Sequence, residues 1–411
     1  MRLAKLNFLK SPAETGARAC VIALGFSIPI SVALDNILLG LVLLAWLAAG
    51  NYRAKWEAIK VNPVSRPALL LFGLLTLGLA YGERYAGDGL RYWAKYVDLM
   101  FVPIFISVFR DKTTREYALK AFGGAMLASI IVSFFSPSGL LIDNPFVPPN
   151  SIGYPVGFKY SITQSVLTAF GAFAALVVAR ETTSRKLRLL LIGLSFVAAF
   201  NVLFTVISRT GYVILAALAL YFFLVQYRWR GVMVAALGGM VLATAGYFAS
   251  GVLQQRVDSA IAELHAWQPD ERSATSIGIR MDFYRTSLKI VKEHPLFGAG
   301  TGSFSAAYAA AANDPETKKA VNPHNEYLLI TAQIGLVGLA CLIYLFYMQW
   351  RYASRLPAFY RDMARGLVLV FAIGCLFNSL LLDHTEGLFF AWATGLLFGE
   401  LSPERSMESS A

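Results

Sequence analysis

The sequence predicts an all-α polytopic membrane protein of about twelve membrane-spanning helices, with one large external loop containing amphipathic helices. Three observations predict it. Of 411 residues, 57% are hydrophobic and only 15% charged, too apolar for a soluble domain. Uncharged runs of bilayer-spanning length recur along the chain. Basic residues gather in the short connections between those runs, as the positive-inside rule produces.

The apolar runs fall, in order, at about 18–33, 35–50, 66–82, 96–109, 118–136, 160–179, 187–207, 211–226, 231–250, 326–348, 365–382 and 386–400. The first begins near Ala19 and flows into the second without a small-residue cleavage site, so it reads as retained rather than as a removed signal. With a cytoplasmic N-terminus, twelve crossings return the C-terminus to the cytoplasm. The connections NYRAKWEAIK, RDKTTREYALK, RETTSRKLR, QYRWR and WRYASRLPAFYRDMAR then lie inside, and with the termini and Arg66 at the inner end of the third run they hold 23 of the 36 Lys and Arg. The other side holds 13, eight of them in one long loop, and long loops translocate largely regardless of charge. The formal charge of +11 is therefore a topology signal, and no nucleic-acid partner is expected. The expected organisation is helices over 1–250, an external loop domain over 251–325, and helices with a cytoplasmic tail over 326–411.

Cys20, Cys341 and Cys375 all lie in apolar runs without metal-ligand spacing. The external segments carry no D-x-D or comparable carboxylate pair, so neither a metal nor a cofactor is expected.

Within the long loop, SIGIRMDFYRTSLKIVKEHP reads as a helix, with Ser276 a possible N-cap and His294-Pro295 its end. At ~100° per residue, Met281, Phe283, Tyr284, Leu288, Ile290 and Val291 share one face. Arg280 falls near the middle of that face, where it is either a first-turn arginine snorkelling past the helix end or a guanidinium held to grip an anion. A second arginine, Arg209 in VISRTGYVILAALALYFF, sits in a tight connection. Ser208 or Thr210 can cap the helix that follows, whose free amides and positive end suit an anion. Interfacial anchoring is the alternative. HPLFGAGTGSF follows no predicted strand, so its glycines at 298, 300 and 302 predict a turn of positive φ. That turn brings backbone amides close either to a ligand or to a neighbouring helix.

VNPHNEYLLI places His324 at the start of the tenth run. Asn322 reads as the N-cap and Pro323 as the first helical residue, putting His324 in the first turn. There the positive helix end would disfavour imidazolium and keep the ring neutral, the form a general base needs. Asn325 and Glu326 are candidates to orient the ring. Arg84, Arg91 and Lys95, in GERYAGDGLRYWAKYVD, are further candidates for substrate contact, with an interfacial role as the alternative. So are Lys159 and Tyr160 at the start of the sixth run. Asp383, in LLDHTEG, is placed to orient Arg209 or His324, or to be solvated. His265, His294 and His384 belong to no constellation.

Taken together, the long loop before the tenth run, SRTG at the eighth, an arginine in the loop, GxGxGSF and HNEYL resemble the O-antigen ligase family, within the superfamily that also holds O-antigen polymerases. The motifs concentrate between Ser208 and Leu328. The resemblance implies transfer of O-antigen polysaccharide from undecaprenyl diphosphate to lipid A-core oligosaccharide on the periplasmic face of the inner membrane. It implies a fold like that of other lipid-linked glycosyltransferases of the GT-C type, metal-independent and inverting chemistry, and essential roles for Arg209, Arg280 and His324. A polymerase would share the donor and differ in acceptor. A secondary transporter is the third reading, opposed by the lack of an ionisable residue at mid-span and of any internal repeat.

Overall fold

The computed structural model describes residues 11–82, 88–136, 156–206, 208–249, 251–268, 275–312 and 320–401. It is helical throughout, with no strand among those residues. In chain order the helices are α1 (Pro12–Ser27), α2 (Val32–Ala48), α3 (Tyr52–Val61), α4 (Ser65–Gly78), α5 (Asp88–Lys95), α6 (Asp98–Val108), α7 (Lys112–Phe135) and α8 (Ser161–Glu181). Then come α9 (Arg185–Phe200), continued by a π-helical turn over Asn201–Thr205, α10 (Arg209–Ala249), α11 (Gly251–Ala266), α12 (Ser276–Glu293) and α13 (Phe304–Ala311). The chain closes with α14 (Glu326–Ala353), α15 (Ala358–Gly374) and α16 (His384–Phe398).

Every apolar run read from the sequence is mainly helical here, which makes this a polytopic membrane protein. Among the described residues, five helices are individually long and apolar enough to cross a bilayer: α7, α8, α9 with its π turn, Arg209–Val241 within α10, and α14. A sixth is added if α2 and α3, bent by 116° at their junction, form one broken span. Two boundaries differ from expectation. The eighth and ninth runs join in α10, which kinks at Arg228 (φ 57°). The eleventh ends at Gly374, so 375–383 form a turn-rich connection and not the last helical turns expected up to residue 382.

The centre of the bundle is α16. From Thr385 to Phe398 every side is buried, and a helix that is apolar all round belongs inside. Phe389 stacks on Phe122 with centroids 5.3 Å apart, and the indole N–H of Trp392 donates to the Val21 carbonyl at 2.8 Å.

The GAGTG turn has positive φ at Gly298, Gly300 and Gly302, as its sequence predicts. It fits into a break in α14 at Ile334 and Gly335, the latter at φ 68°. The amides of Ala299 and Gly300 donate to the carbonyls of Ala332 and Gln333, both at 2.8 Å, and Thr301 donates to Gly78 O at 3.0 Å. The Gly302 amide takes the Gln333 side-chain oxygen at 2.8 Å. Of the two uses left open for these glycines, the close approach is to neighbouring helices; four consecutive amides are spent on the bundle. A Cβ at Gly300 would stand 2.1 Å from Gly82 Cα, and one at Gly335 2.0 Å from the Leu296 carbonyl oxygen. Neither backbone can retreat cheaply. Gly300→Ala and Gly335→Ala are each expected to destabilise the protein by about 1–3 kcal/mol or more, seen as a lower thermal midpoint in detergent.

Candidate active site

The loop before α14 does not cap that helix as its sequence suggests. The N-cap is Asn325, whose side-chain oxygen accepts from Leu328 N at 3.0 Å, whereas Asn322 lies three residues further out. His324 therefore precedes the helix and sits outside its first turn, with left-handed backbone at φ 51°. Non-glycine residues adopt that region rarely and only where their surroundings hold them. Here Asn322 holds it: its side-chain oxygen accepts the His324 amide at 2.8 Å and the Ser379 hydroxyl at 2.7 Å.

The His324 ring lies between two elements far away in sequence. Its Nδ1 is 2.9 Å from the side-chain oxygen of Asn378, in the 375–383 connection. The Asn378 amide nitrogen donates to Asp383 Oδ2 at 3.4 Å. On another side the ring stacks on Phe283 of α12, with centroids 6.1 Å apart and planes 27° apart. Among the described residues, the second ring nitrogen, Nε2, has no hydrogen-bond partner.

Phe283 brings in Arg280. Residues three apart share a helix face, so Arg280 stands one turn from the ring that packs on His324. α12 is capped by Thr275, which accepts from Gly278 N at 3.2 Å, and not by Ser276. Its inward line runs through Phe283, Thr286, Ser287 and Ile290, while Leu288, expected on the buried face, points outward at 51% exposure. Tyr284 donates its hydroxyl to Leu376 O at 3.1 Å, joining α12 to the connection that carries Asn378. Arg280 is half-buried and forms no ion pair or hydrogen bond among the described residues.

Arg209 opens α10 as expected. Ser208 is the capping side chain, accepting from Gly211 N at 3.3 Å. Gly211 packs on Ser165 of α8 so closely that a Cβ would lie 2.4 Å from the Ser165 Cβ, which seats the start of α10 on the start of α8. Two residues earlier in α8, Thr163 donates to Glu386 of α16 at 2.7 Å. The starts of α8, α10, α14 and α16 thus gather at the end of the bundle that holds His324. The Arg209 side chain is exposed and also lacks an ion pair or hydrogen bond among the described residues. The structure links His324 to Asp383 through Asn378 and places Arg280 one turn along α12 from Phe283, the ring that packs on His324. It places Arg209 at the same end on an adjoining helix, without a contact to Arg280, His324 or Asp383.

The other candidates divide. Asn325 does not bond the ring; besides capping α14 it donates to Leu376 O at 3.1 Å. Glu326 is a correction too. It is fully buried, accepting from the Tyr96 hydroxyl at 2.6 Å and from Leu381 N at 2.9 Å, and it makes no hydrogen bond with His324. Its task is to hold the 375–383 connection against α14, helped by its own amide donating to Cys375 O at 2.8 Å. Lys159 is buried rather than presented to a substrate, pairing with Asp35 at 3.8 Å and Thr385 at 3.2 Å. Tyr160 is exposed at the start of α8. Arg91 is exposed on α5, and Lys95 lies close enough to Asp383 to act on its charge. Burial raises the Asp383 carboxyl above its usual range, and Lys95 and His324 pull it back down. Arg84 lies outside the described residues. Of the buried acids, Asp35, Asp98, Glu326 and Glu386 fall in the first turns of their helices, while Asp362 lies beyond the first turn of α15 and pairs with Arg180 and Arg361.

Two contributors were missed in the sequence, Asn378 and Phe283. Phe283 was assigned only to an apolar face. Asn378-Ser379 was the legible signal: a polar pair inside an apolar run, absorbed into a span that ends earlier than expected.

The described residues form a polytopic helical bundle with an imidazole near one end and, on helices of the same end, two guanidinium groups that have no ion pair or hydrogen bond among those residues. Comparison gives the particular likeness: residues 194–343 match the family model described as O-antigen ligase, so that segment is similar to the O-antigen ligase family. That segment, roughly a third of the chain, contains Arg209, Arg280 and His324 and agrees with the resemblance carried by the motifs. No curated protein matches the chain in sequence.

Proposed function

We propose that this protein is an O-antigen ligase that transfers polysaccharide from undecaprenyl diphosphate to lipid A-core oligosaccharide. The reading places it in the inner membrane with about twelve crossings, both termini cytoplasmic and the reaction at the periplasmic face, in a bundle of the GT-C kind. The observation that carries it is the setting of His324 inside the matched segment: a half-buried imidazole whose Nε2 has no hydrogen-bond partner among the described residues, packed on Phe283, one turn along α12 from an arginine that has no partner among them.

In the proposed reaction, a hydroxyl of the core oligosaccharide attacks the anomeric carbon opposite the diphosphate. A new C–O bond forms as the C–O bond to the diphosphate breaks, and the hydroxyl proton passes to His324 Nε2. One displacement inverts the anomeric configuration. The diphosphate leaves with the bonding electrons, and Arg280 and Arg209 hold its growing charge, since planar guanidinium forks bind phosphate oxygens in pairs. Arginine in this role replaces a divalent ion. Transfer by the purified protein is therefore expected to continue in EDTA; complete loss on chelation, restored by a divalent metal, would remove the metal-independent mechanism.

Acceptor choice tests the reading itself. With labelled carrier-linked glycan and lipid A-core together, label should move to lipid A-core. Label appearing instead in longer carrier-linked chains would make the protein a polymerase.

A further inference from the structure

Both attachments of His324, backbone and ring, lead to one dipeptide. Ser379, fully buried, donates to Asn322, which in turn accepts the His324 amide. Asn378, 4% exposed, meets the ring at Nδ1. The dipeptide is itself anchored, because Glu326, Asn325 and Tyr284 bind the backbone of Leu381 and Leu376 on either side of it.

The chemistry of the Asn378 side chain decides what it can do there. An ionised carboxylate only accepts hydrogen bonds, so the contact with Asp383 Oδ2 takes the amide's NH2 end and turns its oxygen toward His324. A carbonyl oxygen also only accepts. A neutral imidazole facing it must therefore donate from Nδ1, which leaves the lone pair on Nε2. Phe283 lies against the ring face and limits its rotation. The amide does this without charge, whereas a carboxylate at the same place would stabilise imidazolium and oppose release of the proton.

We propose that Asn378 is a positioning residue: with its amide oriented by Asp383, it holds His324 in the Nδ1–H tautomer, so that Nε2 is the atom that takes the acceptor's proton. This rests on the ligase reading for the identity of that proton, but the tautomer itself does not depend on it.

Two measurements on the full chain in nanodiscs test it. With only four histidines in the protein, 15N-histidine NMR can assign His324 by the signals lost in His324→Gln. The expected spectrum near neutral pH has a protonated Nδ1 and an unprotonated Nε2, and Asn378→Ala should lose that fixed pattern. The kinetic arm uses carrier-linked glycan and lipid A-core. Asn378→Ala should lower kcat by roughly 10²-fold with donor KM changed less than about threefold. The near-isosteric Asn378→Asp should keep the Nδ1–H donor but move the acid limb of the kcat profile. The charged groups facing this site are Asp383, which acts on His324 and is itself acted on by Lys95, and Arg280 one turn from Phe283 on α12. A second carboxylate added to that set raises the pH at which His324 loses its proton, so the limb moves upward by about one pH unit or more.

A wild-type spectrum with the proton on Nε2, or an acid limb unmoved in active Asn378→Asp, would overturn the proposal. If Asn378→Ala does not fold, the Asn378→Asp profile and the wild-type spectrum decide. A wild-type protein that shows the Nδ1–H pattern but moves no sugar would sink the ligase reading and leave the positioning role standing.

Discussion

Alanine at position 324 is expected to abolish glycosyl transfer while leaving carrier-linked glycan bound. Loss of a positioned general base costs about 10²- to 10⁴-fold in rate. Because the proton moves only as the acceptor attacks, kcat and kcat/KM should fall together, the pattern of an interaction made in the transition state alone. Donor binding has no such dependence, since His324 is directed to the incoming hydroxyl and not to the diphosphate. The measurement is single-turnover transfer beside equilibrium retention of labelled carrier-linked glycan in nanodiscs. The fold gives this test a safeguard. His324 is held through its amide by Asn322, which alanine preserves, so the loop should keep its path. Normal turnover in His324→Ala would remove the base assignment.

The second large effect is expected at the arginines. Arg280→Ala and Arg209→Ala should each weaken donor binding and also slow transfer, the rate falling by about 10²- to 10³-fold, as when one charge-stabilising donor is removed from a transition state. Charge builds on the diphosphate as the bond breaks, so part of each arginine's contribution appears in kcat. Lysine should rescue poorly, since a point charge cannot reproduce a planar two-pronged contact. Stability is the control. Neither guanidinium has an ion pair or hydrogen bond among the described residues, so its removal strands no buried acid and should move unfolding by only about 0.5 kcal/mol. A variant that lost activity with an unchanged thermal midpoint would fit a binding role. One that lost both would make the arginine structural. Arg209 is the more exposed of the two and lies on the neighbouring helix, so a defect there confined to retention of the carrier, with kcat unchanged, would assign it to holding the lipid-linked donor before reaction.

The alternative of a secondary transporter loses ground from the placement of buried charge. The acids at Asp35, Asp98, Glu326 and Glu386 fall in the first turns of their helices, beside the functional end of the bundle rather than at mid-span, where a coupling ion would be bound. Several are used structurally: Glu326 fastens the 375–383 connection, and Asp35 neutralises Lys159.

Features set by a few adjacent residues were legible in the sequence. Apolar runs became helices because a backbone removed from water must satisfy its own hydrogen bonds. Ser208 caps α10, and the three glycines of GAGTG take positive φ. Arg209 and His324 stood out as polar residues at the edge of an apolar run, and Arg280 as a charge in the middle of an apolar helix face. Features set by packing were not legible. Whether the glycine turn approaches a ligand or a helix depends on the break at Gly335 of α14, which receives it. The starting residue of α14 was misread because Asn322 and Asn325 are equally good caps locally. The choice between them was made by Ser379, which takes Asn322 away to hold the histidine loop. Asn378 reaches His324 across 54 residues of chain, because α15 stops at Gly374 and lets the connection fold back over the mouth of α14. By itself, then, the sequence determined a polytopic helical membrane protein and the residue types able to handle an anion and a proton. The tertiary structure alone decided that His324 stands outside its helix, gripped by Asn378 and Phe283, since long-range contacts outweigh a cap's preference worth only about 1 kcal/mol.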